Sequence, residues 1–153
     1  MKLSDILFPE CILLDVEGDT KEAVLQQLYE VLYQNNKVKE TFYDAILARE
    51  KNYPTGLEVE SYNVAIPHVT PEHVTNSAIG IAVLRHPVAF ERMDGDGEVQ
   101  VNVIFNIALS EGGKQIETLQ EIIAVISDDA KLQRIVKATT PEELIAIMKE
   151  GES

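Results

Sequence analysis

The sequence predicts an α/β fold, a mixed-sheet sandwich with helices packed on its faces in a single domain, on three observations. Residues 78–84 and 99–109 are apolar runs with the length and pattern of strands buried in a sheet. Segments before and after them carry apolar residues at helical spacing, the arrangement a sheet covered on both faces needs. Finally, 153 residues that are 45% hydrophobic, with no internal repeat, low-complexity tract or linker composition, suit one compact core spanning 1–153.

Each element has its own signal. Residues 11–14, Cys-Ile-Leu-Leu, read as a first short strand. Gly18-Asp19-Thr20 offers a polar cap for a helix running to about Tyr33, with Val24, Leu28, Val31 and Leu32 as its buried stripe. Asn35-Asn36 breaks it, and a second helix is expected over about 39–51, its inward side marked by Phe42, Ala45 and Ile46. The apolar patch Val64-Ala65-Ile66 follows as a short strand. After residues 78–84, residues 87–90 form a separate alternating strand, and Asp94-Gly95-Asp96-Gly97 a turn. Along 99–109, Val101, Val103, Phe105, Ile107 and Leu109 share one face, while Asn102, Ile104, Asn106 and Ala108 make the other only partly apolar. A third helix is expected over about 114–126, with Leu119, Ile122, Ile123 and Ile126 on the core side, and a fourth from near Asp128, with Leu132, Ile135 and Val136. Thr140-Pro141-Glu142-Glu143 starts the last, with Thr140 as N-cap, Pro141 at the first helical position and Glu143 completing a capping box.

Composition narrows the function classes. The formal net charge is −13, which makes nucleic acid and anionic membranes poor partners and favours a basic protein. No apolar run approaches the roughly 20 residues that span a bilayer, and Met1-Lys2-Leu3-Ser4-Asp5 does not open a secretory signal, so a cytoplasmic protein without direct membrane insertion is expected. The single cysteine, Cys11, lies in an apolar run and reads as a small buried hydrophobe.

The feature richest in chemistry is Ile66-Pro67-His68. Proline fixes its own φ and keeps the preceding residue extended, so His68 leaves a strand end in a restricted direction. A neutral imidazole is a nucleophile near pH 7, and the hydrogen bond made by one ring nitrogen decides which nitrogen is free. Arg49 follows Ile46 by three residues and Phe42 by seven, which puts a cation on an apolar helical stripe. Such an arginine faces an anion or a cleft, or else caps its own helix end. Gln115 falls on the inward side of the third helix's first turn, as a polar site group or an ordinary helix-start residue. Thr55 and Gly56 suit a tight loop beside His68 whose hydroxyl serves as a phosphate or imidazole partner, and Gly112-Gly113 adds backbone donors at a helix start. His73, five residues beyond His68, and His86 lack metal-ligand spacing, and His86 reads as surface loop. With no P-loop or other Gly-rich nucleotide fingerprint, no cofactor is expected.

Arg49-Glu50, Tyr53-Pro54-Thr55-Gly56-Leu57, Ala65-Ile66-Pro67-His68 and Lys114-Gln115-Ile116-Glu117-Thr118-Leu119 together resemble the IIA component of the bacterial phosphoenolpyruvate-dependent sugar phosphotransferase system, fructose-mannitol family. Many members resemble the last segment but carry a second histidine where this chain has Gln115, a departure that looks like the galactitol-type branch. The resemblance implies an EIIA type-2 domain of the same α/β fold. It implies that His68 takes a phosphoryl group from the phosphohistidine carrier HPr through Nε2 and hands it to a cysteine of a IIB component. The membrane IIC transporter would be an indirect partner. Arg49 would neutralise the equatorial oxygens, with Gln115, Thr55 and Gly56 around the site. The same domain could serve mainly as a regulatory signal, as nitrogen-related IIA proteins do, or bind a small molecule without phosphotransfer.

Overall fold

The computed structural model describes residues 2–152. Five strands, β1 (Ile12–Val16), β2 (Gly56–Leu57), β3 (Val64–Ala65), β4 (Ala78–Glu91) and β5 (Glu98–Ala108), form one sheet in the order β1-β4-β5-β3-β2. β4 and β5 are an antiparallel hairpin closed by Asp94–Gly97, where Gly95 and Gly97 take φ of 78° and 91°. β1 and β3 add in parallel on either side, and β2 pairs antiparallel with β3 at the edge, so the sheet is mixed.

Alternation along the two long strands builds two cores. Ile79, Ile81 and Val83 of β4 with Val103, Phe105 and Ile107 of β5 meet the helices α3 (Gln115–Ile126), α4 (Asp129–Lys137) and α5 (Pro141–Lys149) through residues such as Ile122, Leu132, Ile135 and Leu144. The opposite face, including Ala78, Ala82, Ile104 and Ala108, is covered by α1 (Lys21–Gln34) and α2 (Phe42–Asn52). Gly80 lets α1 lie flush there, since a Cβ would come within 3.2 Å of Leu32 and 3.3 Å of Leu28. Beside it Asn106 is fully buried, and both polar atoms of its side chain lack a hydrogen-bond partner.

Several expectations are corrected. The strands expected at 78–84 and 87–90 are one strand, β4, interrupted by a bulge in which Leu84–Pro87 face the single β5 residue Asn102. His86 is therefore an exposed strand residue rather than a loop residue. Past this bulge Val101 packs with Val88, Phe90 and Val99 in the α1-side core instead of with Val103 and Phe105, because the irregular registry reorients the distal hairpin. α2 starts at Phe42, not Lys39, because the residues before it are tied to the segment after His68. Val38 pairs with Val74, Lys39 N donates to His73 O, and the Thr41 hydroxyl bonds His73 Nδ1 at 2.8 Å instead of capping the helix. In α1 Leu25 is buried and Val31 only partly, and in α3 Ile123 is 44% exposed rather than in the core. Thr140 caps α5 by accepting from Glu143 N, but the Glu143 carboxylate accepts from the N–H of Thr139, one residue earlier than a capping box requires. Cys11 ends a short 3₁₀ turn and is wholly buried, which pushes its thiol up to about 11 and leaves it protonated at neutral pH.

Candidate functional site

The site is built on the segment from Ile66 to Thr70, where the chain leaves β3 and runs on beside β5. Ile107 N donates to Pro67 O at 2.9 Å, and His68 pairs as a parallel bridge with Ile107, so the strand-like course continues through the histidine. Ile66 and Val69 are buried on either side, while His68 itself is partly exposed. Its ring bends back so that Nδ1 lies 3.0 Å from the carbonyl oxygen of Ile66. A carbonyl can only accept, so Nδ1 carries the proton and Nε2 is left with its lone pair. The proline between the two residues holds this turn, since its fixed φ limits how the carbonyl and the ring can move apart.

Arg49 lies in the last turn of α2, half-buried, in a cleft whose far wall is Val69 and Thr70, the residues immediately after His68. Its guanidinium stacks over the Tyr53 ring at 4.5 Å from the centroid, and its buried Nε has no hydrogen-bond partner. Arg85, Arg92 and Arg134 each hold surface carboxylates, through Asp15 and Glu17, Glu58 and Asp94, and Glu150 respectively. Among the described residues Arg49 is the arginine with no such pair. In a chain with 26 acidic residues, a half-buried guanidinium left without a carboxylate is a site kept open for an anion.

Gln115 is the first residue of α3, and its amide donates to the carbonyl of Val69 at 3.0 Å. It therefore braces the strand immediately after His68 rather than reaching outward. Gly112, in the 3₁₀ turn that precedes α3, lies against Pro71 of the same segment. His73 lines the Arg49 cleft, with Nδ1 engaged by Thr41.

Thr55 does something other than the expected phosphate or imidazole contact. It is 2% exposed, and both its N–H and its hydroxyl donate to the carboxylate of Glu50, each at 2.8 Å. Its hydroxyl proton is thus already committed. Gly56 supports the loop by absence of a side chain: a Cβ would stand 2.6 Å from the Glu91 carbonyl oxygen and 2.7 Å from Val99. Glu50, the residue that sequence reasoning missed, is 1% exposed, and burial pushes its carboxyl above the ordinary value against the lowering effect of the two Thr55 bonds. A signal was present, because Glu50 follows Ile46 by four and Phe42 by eight, an inward position as good as that of Arg49.

Known proteins share this architecture. The family model for the phosphoenolpyruvate-dependent sugar phosphotransferase system, EIIA 2, matches residues 5–151. The chain is 28% identical to a mannitol-specific phosphotransferase enzyme IIA component of Staphylococcus aureus, over 99% of its own length and 100% of that protein. It is 25% identical to the galactitol-specific EIIA component of Escherichia coli, over 80% of each. A fructose-specific EIIABC component of Bacillus subtilis is 27% identical over 98% of this chain, which spans only 23% of that longer protein. Among solved structures, a putative PTS IIA from Streptococcus mutans superposes with a TM-score of 0.80 at 28% identity, covering 98% of this chain and 94% of the other.

Proposed function

This chain belongs to the EIIA 2 family of the phosphoenolpyruvate-dependent sugar phosphotransferase system, and on that premise we propose that it is a phosphocarrier whose His68 accepts a phosphoryl group from phospho-HPr and passes it to a IIB cysteine. The observation that carries this reading is the bond from His68 Nδ1 to Ile66 O, which leaves Nε2 free as the nucleophile beside an unpaired arginine.

In the first transfer the Nε2 lone pair attacks phosphorus as the bond between phosphorus and the donor histidine's nitrogen breaks, and the donor ring departs neutral. The accepting ring becomes cationic, with its proton still on Nδ1. The Ile66 carbonyl thus faces a stronger donor in the transition state than in the resting enzyme, the differential contact that catalysis requires. Arg49 offsets charge on the equatorial oxygens, and the step needs positioning and electrostatics rather than a nucleotide or metal. Transfer to IIB reverses the roles, a cysteine thiolate attacking phosphorus while His68 leaves.

The acidic surface suits a basic face on HPr, since charge complementarity raises the association rate more than the affinity. The sugar is galactitol or a related polyol, read from Gln115 standing where many relatives carry a second histidine; the IIB component links the domain to the membrane IIC transporter, and the work is done in the cytoplasm as a single EIIA domain over 1–153. The test incubates the protein with phosphoenolpyruvate, enzyme I and HPr, then with IIB proteins of known sugar specificity. Acid-labile, base-stable label on His68, lost in His68→Ala and passed preferentially to a galactitol-type IIB, is expected. Label that survives in His68→Ala overturns the site, and label that passes to no IIB favours the regulatory role.

A further inference from the structure

We infer that Glu50 is a positioning residue for His68, holding the histidine in its Nδ1–H tautomer through a relay of hydrogen bonds that runs from the end of α2 across the β2–β3 edge. The inference rests on the reading of His68 as the phosphoryl acceptor, but the tautomer is a property of the unphosphorylated protein and can be measured apart from it. The relay is continuous. The Glu50 carboxylate takes the Thr55 N–H on one oxygen and the Thr55 hydroxyl on the other, each at 2.8 Å. Thr55 O in turn accepts from Ile66 N at 3.3 Å, extending the antiparallel pair that Gly56 and Ala65 begin. Ile66 O then accepts from His68 Nδ1 at 3.0 Å.

Burial gives the relay its stiffness. Glu50, Thr55 and Ile66 are each at most 2% exposed, so no water can replace a lost partner. β2 and β3 are only two residues long each and lie at the sheet edge, too short to fix a carbonyl by their own ladder. The loop from Glu58 to Asn63 joins them, so the position of Thr55 depends on its anchor to α2. A buried carboxylate against two donors of one residue is an expensive way to hold a turn, and it is explained if the turn orients the reactive ring.

The experiment records long-range ¹H–¹⁵N spectra of His68 in the intact unphosphorylated protein, alongside steady-state transfer from phospho-HPr. In wild type, Nδ1 carries the proton and Nε2 reads as the unprotonated nitrogen. Glu50→Ala is expected to lower the ratio of Nδ1–H to Nε2–H forms about fivefold, the population equivalent of one ordinary hydrogen bond, and to lower kcat by a like factor with KM for phospho-HPr unchanged. Glu50→Gln, whose amide can accept from the Thr55 N–H and donate to the Thr55 oxygen, should restore both. If Glu50→Ala does not fold, Thr55→Val, which removes one of the two bonds at similar volume, should shift the ratio in the same direction. A wild-type tautomer ratio in folded Glu50→Ala, or failing that in Thr55→Val, overturns the inference. A shifted ratio with no phosphotransfer even in wild type would overturn the phosphocarrier reading and leave the relay standing.

Discussion

At the scale of single residues, the chemistry rests on groups whose partners are missing as much as on those that are paired. Arg49 touches the Tyr53 ring but no carboxylate, and stacking on an exposed aromatic contributes about 0.5–1 kcal/mol, little for the fold. Arg49→Gln should therefore leave the melting temperature near wild type while slowing phosphoryl transfer in both directions by about 10²–10³, the usual cost of losing one transition-state donor. Rapid-quench kinetics with a matched melting curve decides this, and wild-type rates would reduce Arg49 to a packing residue. Gln115 makes a neutral bond to the strand after His68. Gln115→Leu should slow transfer by releasing that strand, whereas Gln115→His should keep appreciable transfer and add a pH dependence at about 6–7. Rate profiles matching wild type in both variants would place Gln115 outside the machinery. His68, Arg49 and Gln115 were legible because a proline, a misplaced charge and a helix start are local patterns. Glu50 was harder, since its partner Thr55 looked free to serve a ligand and only the folded chain shows that its hydroxyl is taken.

Among the elements, the long ones were readable and the short ones were not. β5 and the start of α5 announce themselves through alternation and capping, but β2, two residues long, has no period to detect and exists because β3 pairs with it. The merger of two expected strands into β4 was hidden for a related reason: exposed Arg85, His86 and Pro87 look like a loop, and only pairing with β5 shows a bulge. β2 also carries the tightest backbone contact near the site. A methyl on Gly56 would press on the Glu91 carbonyl, which belongs to the backbone and cannot swing aside. Gly56→Ala should cost about 1–3 kcal/mol, the range for overpacking, and lower the melting temperature by several degrees. A melting curve unchanged from wild type would mean that the β2 edge yields freely.

For the whole molecule, charge sets both association and the response to pH. Asp15, Asp94, Asp129 and Glu150 are held below their ordinary values, by Arg85, by Arg92, by hydrogen bonds from Ser61 and Gln133, and by Arg134 respectively. The stability they contribute is present above the unfolded carboxyl range and lost as pH falls through their lowered values. Glu50 acts in the opposite sense. Burial raises it, so its contribution is complete below 4.5 and is lost as pH rises through the raised folded value. The unfolding free energy of wild type relative to Glu50→Gln should accordingly fall with pH across that window and be level on either side, as urea titrations at a series of pH values would reveal. A difference independent of pH would show Glu50 ionising in the fold as it does in the unfolded chain. All of this serves one chemical claim, that a neutral His68 with its proton fixed on Nδ1 attacks phosphorus through Nε2. Its most direct test is ³¹P–¹⁵N correlation spectroscopy of the protein phosphorylated by phosphoenolpyruvate, enzyme I and HPr. A single phosphorus bonded to Nε2 of His68 is the predicted result, and phosphorus on Nδ1, or on His73 or His86, would contradict it.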